Sequence, residues 1–241
     1  MNIMEFQIQE LQISGMTCQI YLPLDYNEGE KYYPTIYVNG EIPVNDILTR
    51  LVENDIPTDF ILLSIQPKNW NDDFTPWPAA AFRKGEEPPH GMADAYLSLL
   101  TNEIKPYVDD HYRTKPEPEH TALFGYSLGG LTAVYAIYKT DIFGVVGSLS
   151  GSLWFDGFCD FMEREKPLRT DLGVYLSLGK KESRSKNQRM GRVAECTERA
   201  IEILCGQSSK VFFEWNEGGH FHDIEARFVK AIVWWKNLYY F

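Results

Sequence analysis

The sequence has few cysteines, and their spacing is not that of a metal site. The chain of 241 residues contains four of them, Cys18, Cys159, Cys196 and Cys205. They form no Cys-x-x-Cys pair and have no histidine or cysteine neighbour at the spacing that zinc needs. None lies on a glycine-flanked turn, so a cysteine nucleophile is the less favoured alternative. We expect free, mostly buried thiols, no bound metal and no cofactor.

Long apolar runs and positive charge are also scarce. No stretch approaches the roughly 18 unbroken apolar residues of a membrane helix. The N-terminus, MNIMEFQIQE, lacks the basic and apolar regions of a secretory signal. The formal net charge of -11 at pH 7 would repel a phosphate backbone, whose binding depends on lysine and arginine. We therefore expect a cytoplasmic protein that binds neither membranes nor nucleic acid.

The arrangement of apolar residues predicts an α/β fold. With 44% hydrophobic residues, the chain can form a packed core, and its length suits one domain over residues 1–241. EFQIQELQI and TCQIYL alternate apolar and polar residues on either side of Gly15, which predicts an N-terminal antiparallel hairpin. Later apolar strands alternate with helical segments, which predicts a mostly parallel central sheet with helices on both faces.

The later strands and helices follow from two different periodicities. Short apolar runs bounded by turn residues predict buried strands, and apolar residues at helical spacing predict helices. The predicted strands are PTIYVNG, DFILLSIQP, TALFGYS, GVVGSLS, GVYLSLG and VFFEW. The predicted helices run from Gly91 to about Tyr112 with a bend near Pro106, over LGGLTAVYAIYK, from Gln188 to about Leu204 and from Asp223 to about Leu238.

A glycine-flanked serine lies where a predicted strand meets a predicted helix. Ser127 is the central residue of Gly-Tyr-Ser-Leu-Gly, and Gly130 follows the motif directly. This setting is typical of the nucleophile elbow of α/β-hydrolases, in which a tight turn demands small neighbours and lifts the hydroxyl above the sheet. The backbone N–H of Leu128 is then aimed at a developing oxyanion. A serine that only caps a helix is the alternative, but it leaves the glycines unexplained.

A serine nucleophile needs a base, and the chain order limits the choice of histidine. In α/β-hydrolases the order is serine, then acid, then histidine. Only two of the five histidines follow Ser127. His220 comes directly after two glycines, between a predicted strand and the last predicted helix, and is the favoured base. His222 is the alternative, and either histidine can instead be a structural hydrogen-bonding group.

The acid is expected just after the strand that precedes the histidine-bearing strand. In GVYLSLGKKES, Glu182 follows the final glycine of the strand by three residues. The alternative role for Glu182 is a solvated charge in a loop. Asp171 precedes a strand and Glu214 lies inside one, which makes both weaker candidates. The residues thus predict a Ser127, His220 and Glu182 triad for ester hydrolysis.

Longer runs of residues resemble a known family of α/β-hydrolases. They are NWNDDFTPWP, GMADAYLSLLTNEIKPYVDDHYRTKPEPEHTALFGYSLGG, SLSGSLWF, LSLGKKE and EGGHFHD. Over most of its length the chain resembles the esterase family that includes the trilactone siderophore esterases and is related to esterase D. The resemblance implies an α/β-hydrolase fold, serine esterase activity and the same three catalytic residues. It also implies a second oxyanion donor, the backbone N–H of Gly40 or Glu41, although Asn39 stands where the family often has Asp.

The substrate is the feature that the sequence determines least. Trp77 and Trp154 resemble family positions near the active-site mouth, with a place in the core as the alternative. A basic cluster at residues 180–192, which includes Lys181 and Arg184, lies beside the predicted acid and would attract an anionic substrate unless it is simply solvated. We expect a small-molecule ester of a bulky aromatic or catecholate compound, such as a siderophore trilactone. The alternatives are a thioesterase such as an S-formylglutathione hydrolase, a carbohydrate acyl esterase, and a non-catalytic binding protein that keeps the fold.

Overall fold

A central sheet of eight strands runs through the computed structural model, which describes residues 6–207 and 209–239. The order across the sheet places the first, second, fourth and third strands before the fifth to the eighth. The first two strands pair antiparallel, the second also pairs antiparallel with the fourth, and all other pairs are parallel. The strands are β1 (Gln7–Ile13), β2 (Met16–Leu22), β3 (Thr35–Asn39), β4 (Ile61–Ile65), β5 (Thr121–Tyr126), β6 (Val145–Leu149), β7 (Gly173–Gly179) and β8 (Lys210–Asn216).

The predicted N-terminal hairpin is confirmed, and its turn explains its register. Ser14 and Gly15 both have positive φ, 50° and 75° respectively, which is the combination that a two-residue type I′ turn needs. This turn pairs Ile13 with Met16 at the end of the hairpin. Both side chains are buried. The hairpin therefore extends the parallel sheet through β2 instead of standing apart from it.

Helices cover both faces of the sheet, as the sequence predicted. Residues of the first and last helices form one core with Ile36 and Val38 of β3. Residues of the third, fifth, sixth and eighth helices form the other core around Tyr37, because successive strand residues point to opposite faces. The helices are α1 (Val44–Glu53), α2 (Trp70–Asp73), α3 (Ala93–Leu99), α4 (Lys105–His111), α5 (Leu128–Ala136), α6 (Phe158–Arg164), α7 (Gln188–Gly191), α8 (Val193–Gly206) and α9 (Ile224–Tyr239).

Two of the predicted helices are interrupted. The segment from 91 to 112 contains one π turn, Leu100–Ile104, in which the Lys105 N–H donates to the Leu100 carbonyl five residues back. Lys105 and then Pro106 follow this turn, and Pro106 has no N–H to donate. The segment from 188 to 204 is two helices, because Arg192 has ψ of 2° and leaves the helical conformation after Gly191. Helices α1, α2 and α6 were not predicted.

The cysteines are free, and three of the four are buried. Cys205 is the exposed one. Within residues 6–207 and 209–239, no group of three or more histidine, cysteine, aspartate or glutamate side chains is placed to hold a metal ion. In the same part of the chain, no helix is both long and apolar enough to cross a membrane.

Candidate active site

Ser127 occupies a strained turn between β5 and α5. Its φ of 55° and ψ of -120° lie in a region that non-glycine residues rarely adopt. The turn is tight because a Cβ at Gly125 would lie 2.2 Å from the Gly129 carbonyl oxygen, and one at Gly129 would lie 2.5 Å from the Asn39 carbonyl oxygen. The serine side chain is thereby held above the carboxyl end of the sheet, as the elbow prediction required.

His220 lies in the loop after β8 and reaches the serine. Its Nε2 is 3.1 Å from Ser127 Oγ. The Tyr126 hydroxyl donates to the His220 carbonyl oxygen, which ties the histidine loop to the end of β5. Gly218, two residues earlier, has φ of 79°, and a Cβ there would lie 2.4 Å from the ring of His222. The structure thus brings His220 to the serine, while His222 is exposed on the other side of the turn.

Glu182 stands behind His220 and is buried. Its Oε2 is 2.8 Å from His220 Nδ1. Its Oε1 accepts hydrogen bonds from Ser150 Oγ at 2.6 Å and from the Gly179 N–H at 2.7 Å. The two weaker candidates are engaged elsewhere. Asp171 pairs with Arg169 near the start of β7, and Glu214 pairs with Lys230 on α9.

The surroundings of Glu182 favour its ionised form. Burial raises the pKa of this carboxyl, but hydrogen bonds from His220, Ser150 and the Gly179 N–H outweigh burial and hold the pKa below its usual range. An ionised carboxylate only accepts hydrogen bonds, so the proton between the two side chains belongs to His220 Nδ1. The other ring nitrogen, Nε2, is then the acceptor for the Ser127 hydroxyl.

Arg227 is a site residue that the sequence analysis missed. Its side chain is 1% exposed and its Nη1 lies 2.9 Å from Glu182 Oε1. The same guanidinium donates to the Gly219 carbonyl at 2.7 Å and to Ser150 Oγ. Arg227 therefore balances the buried carboxylate and holds the residue before His220. Its only sequence signal was a charged residue on the apolar face of α9, next to Phe228.

Ser152 is a second missed residue, and it lies beside the nucleophile. Its Oγ is 3.4 Å from Ser127 Oγ, and its N–H donates to the Ser127 carbonyl at 2.9 Å. Because the single hydroxyl proton of Ser127 is directed at His220, the Ser152 hydroxyl is the donor in the contact between the two serines. Ser152 lies within the run SLSGSLWF that carries the family resemblance, but no periodicity singled it out, since it follows β6 in an irregular segment.

The structure narrows the candidates for the oxyanion donors. The N–H of Leu128 is at the first position of α5, where a helix offers no internal partner. The Gly40 N–H donates to the Ile65 carbonyl at 2.9 Å, so Gly40 is not an available donor and that alternative is wrong. Glu41 remains the candidate for the second donor, because within residues 6–207 and 209–239 its N–H has no hydrogen-bond partner.

Asn39 has a larger role than the sequence suggested. It is the last residue of β3 and is paired in register with Gly125 of β5. Its Nδ2 donates to the Gly129 carbonyl at 3.0 Å, and its Oδ1 accepts from the Tyr96 hydroxyl at 2.8 Å. An ionised aspartate could not donate the first of these bonds. The amide thus fixes the loop of Glu41 against the start of α5.

A cavity of about 530 Å³ opens above Ser127. Its wall combines the three candidate catalytic side chains with a mostly apolar lining. Arg83 and Glu86 contribute charges of opposite sign, 3.7 Å apart, to the same wall. The apolar and aromatic lining residues are Trp70, Phe82, Tyr126, Leu128, Trp154, Met190, Val193, Phe221 and Ile224.

The cavity contains only one of the four predicted substrate-binding residues. Trp154 lines it, whereas Trp77 packs among the rings of Phe155 and Phe161 and donates from Nε1 to a backbone carbonyl. Trp77 is therefore a core residue and not part of the wall. The side chains of Lys181 and Arg184 are exposed and lie outside the lining, because the short helical turn at residues 182–184 directs Glu182 inward and its neighbours to solvent.

Known proteins share this fold. The profile of the family described as "Putative esterase" matches residues 12–222. The Bacillus subtilis protein YbbA is 28% identical over 206 residues, which cover 83% of this chain and 82% of YbbA. An IroE-like serine hydrolase from Shewanella oneidensis superposes with a TM-score of 0.76 and 18% identity over 97% of this chain and 80% of its own. The siderophore hydrolase EstA from Aspergillus nidulans superposes with a TM-score of 0.72 and 20% sequence identity. The match covers 96% of this chain and 95% of EstA.

The family match and the fold lead to the same assignment. The matched residues include the elbow, the loop of Glu182 and the loop of His220. The IroE-like hydrolase and EstA share the overall fold of this chain, with TM-scores of 0.76 and 0.72. This chain therefore belongs to the esterase family of α/β-hydrolases, and it is a carboxylic ester hydrolase.

Proposed function

We propose that the chain hydrolyses esters through an acyl-enzyme, with Ser127 as nucleophile, His220 as general base and Glu182 as the orienting acid. One observation carries the proposal. The ring of His220 connects the other two side chains. Its Nε2 is 3.1 Å from Ser127 Oγ, and its Nδ1 is 2.8 Å from Oε2 of the buried Glu182. Such a series of contacts lets a weakly nucleophilic hydroxyl lose its proton as it attacks. A non-catalytic binding protein would not require this arrangement of the three side chains.

The steps follow from the positions of these atoms. Ser127 Oγ attacks the ester carbonyl carbon while its proton passes to His220 Nε2. The carbonyl oxygen becomes an oxyanion, which the N–H groups of Leu128 and Glu41 stabilise by hydrogen bonds. His220 then gives the proton to the departing alcohol oxygen, and the carbonyl re-forms as the acyl-enzyme. A water molecule, deprotonated by His220, repeats the attack, releases the acid and restores Ser127.

Glu182 contributes without changing its own protonation. When His220 accepts the serine proton, the imidazolium lies 2.8 Å from a carboxylate that is already ionised. The charge pair stabilises the transition state, and the hydrogen bond to Nδ1 keeps the ring in the productive tautomer. Arg227 prevents the carboxylate from turning away, because it holds the opposite oxygen.

We further propose that the substrate is an ester of a bulky aromatic compound, of which a catecholate siderophore trilactone is one kind. The aromatic wall formed by Phe82, Trp154 and their neighbours supports this proposal, since flat rings gain from edge and face contacts. The name of EstA, a siderophore hydrolase, supports a siderophore ester among these compounds. Arg83, which lines the cavity, is the cation best placed to meet an anionic group, and Lys181 and Arg184 are too far outside the wall for that role.

A matched panel of substrates tests the substrate proposal. Ethyl 2,3-dihydroxybenzoate, ethyl acetate, S-formylglutathione, an acetylated xylose and an iron-free catecholate trilactone would be assayed with the purified chain. We expect the highest kcat/KM for the two catecholate esters. A value a hundredfold higher for S-formylglutathione or for the acetylated sugar would contradict the aromatic preference while leaving the proposed triad intact.

A further inference from the structure

One wall of the cavity is an irregular segment that needs outside support. Between Phe74 and Met92 the chain forms neither helix nor strand, yet Phe82 of this segment is buried and lines the cavity. Its ring packs edge-on against Trp154 with centroids 5.6 Å apart and an interplanar angle of 85°. A segment without regular backbone hydrogen bonds does not hold a ring in place alone. Its fixed position must come from neighbouring elements.

Arg189 of α7 supplies most of that support. Its Nη1 donates to the carbonyl oxygens of Ala80 and Ala81, at 3.0 and 3.1 Å. These are the two residues directly before Phe82. The guanidinium carbon also lies 5.6 Å from the centre of the Phe82 ring and 5.8 Å from that of Trp154, within the range of cation–π attraction.

The other side of the same guanidinium is anchored to the opposite wall. Arg189 Nε and Nη2 lie 3.1 and 2.7 Å from the two carboxylate oxygens of Asp156, two residues after Trp154. A neighbouring bond reinforces the arrangement, because Asn187 Nδ2 donates to the Phe82 carbonyl at 2.8 Å. Two loops distant in sequence therefore meet on one side chain. Arg189 itself is absent from the cavity lining.

We propose that Arg189 is a positioning residue that fixes the Phe82 and Trp154 rings and so sets the selectivity of the cavity for aromatic over small acyl groups. The inference rests on the proposed esterase function and deepens it. Its Nε and Nη1 donate to Asp156 and to the two carbonyls, and its Nη2 lies in an ion pair with Asp156. Arg189 therefore acts through the wall and not by binding an anionic substrate. A lysine could not replace it, because a single ammonium lacks the planar fork that reaches both loops.

Binding to an inactive protein tests the inference separately from catalysis. In a Ser127→Ala background the Kd of ethyl 2,3-dihydroxybenzoate would be measured by calorimetry, with and without Arg189→Ala. We expect Arg189→Ala to raise this Kd about tenfold, which corresponds to the loss of aromatic contacts of about 1.4 kcal/mol. Arg189→Lys should raise it nearly as much. Arg199→Ala is the matched control, since Arg199 also pairs with two carboxylates, of Asp160 and Glu163, but touches no cavity residue.

A double-mutant cycle tests the route of the effect. Phe82→Ala should itself raise the Kd, and adding Arg189→Ala to it should change the Kd less than twofold, because coupled residues are not additive. Should Arg189→Ala fail to fold, Asp156→Asn removes only the anchor and is expected to raise the Kd at least threefold. A change below threefold for Arg189→Ala, full additivity with Phe82→Ala, or no binding of the aryl ester to Ser127→Ala would each overturn the inference. Binding without turnover by the wild type would instead overturn the proposed function alone.

Discussion

Glu182 and Arg227 form an ion pair that water barely reaches. Their side chains are 3% and 1% exposed, and two charges removed from water are costly unless close pairing and additional hydrogen bonds replace the lost water. Both oxygens of Glu182 have partners, namely His220 on one side and Ser150, the Gly179 N–H and Arg227 on the other. The result is a carboxylate fixed in one orientation, which is what a base-orienting residue needs.

The depressed pKa of Glu182 predicts how its contribution to stability depends on pH. The folded pKa lies below the ordinary value, so folding favours the ionised form. The stability gained from ionised Glu182 is therefore fully present above the unfolded-state pKa of about 4.3 and is lost as pH falls through the lower folded pKa. Glu182→Gln should lower the free energy of unfolding at pH 7, and the difference from wild type should shrink below about pH 4.3.

Urea unfolding of both proteins between pH 3 and 8 measures this difference. Glu225→Gln is a suitable control, because Glu225 lies near the surface of α9 with only a 3.8 Å contact to Arg50. A difference between wild type and Glu182→Gln that grows on acidification would show that Glu182 is protonated in the folded protein.

Single residues could be predicted from sequence only where chain order or a tight turn restricts them. Ser127 is marked by the glycines that flank it, and His220 by the two glycines directly before it. Glu182 is marked by its short distance from the end of a strand. Arg227 gave no comparable signal, because an arginine in an amphipathic helix normally reaches solvent. Its role depends on a buried carboxylate 45 residues earlier in the chain, and no local pattern contains that information.

At the scale of elements, the packing of α5 against β3 controls the geometry of the elbow. Gly129 lies in the first turn of α5 and touches Asn39 at the end of β3. The same contact positions the loop that carries the Glu41 N–H. The proposed nucleophile and the proposed second oxyanion donor are therefore positioned by one interface between a helix and a strand.

Gly129→Ala is expected to disturb catalysis more than binding. The added Cβ would lie 2.5 Å from the Asn39 carbonyl oxygen, so α5 and the Glu41 loop must separate. A displacement of about 1 Å costs roughly a hundredfold in rate, and we expect kcat to fall by that order with little change in KM. Steady-state assays with p-nitrophenyl acetate measure both constants.

The matched control is Gly206→Ala at the end of α8. A Cβ there meets no atom within 4 Å, so kcat should stay at the wild-type value. If Gly129→Ala kept kcat within threefold of wild type, the close contact between α5 and β3 would not be what positions the site.

The helices that were not predicted differ in how much signal the sequence carries for them. Directly after Pro43, helix α1 has buried residues at helical spacing, Val44, Ile47, Leu48 and Leu51. The sequence therefore did carry a signal for this helix. Helix α6 is only seven residues long, too short for its periodicity to stand out. The break between α7 and α8 is a change of backbone conformation at Arg192 alone. The spacing of apolar residues is continuous across this position, so it gave no sign of the break.

At the scale of the whole molecule, the alternation of strands and helices is what brings the site together. Ser127 and His220 are 93 residues apart and Glu182 and His220 are 38 apart. Because β5, β7 and β8 are parallel, the loops that follow them emerge at one edge of the sheet. The order of elements was readable from the sequence, and with it the assembly of the three residues.

The apolar wall of the cavity was far less predictable from the sequence than the three candidate catalytic side chains. It comes largely from irregular segments near residues 78–90 and 152–156 and from the short helix α7 with the residues just before it. The positions of these segments depend on contacts such as those of Arg189. Irregular loops carry no periodicity, and so Trp77 and Trp154 looked equivalent in the sequence although one lies in the core and the other in the cavity. Substrate preference therefore has to be argued from the structure.

The acyl-enzyme on Ser127 offers the most direct test of the proposed mechanism. Wild-type protein would be mixed with p-nitrophenyl acetate, quenched in acid and analysed by mass spectrometry of the peptide that contains Ser127. We expect one acetyl group on Ser127, formed slowly in His220→Ala and at the normal rate in His222→Ala. Ser127→Ala should carry no acetyl group and lose at least a thousandfold in kcat/KM, in line with the loss of a triad nucleophile. An acetyl group on Ser152 or any other residue, or hydrolysis by Ser127→Ala within tenfold of wild type, would contradict the assignment.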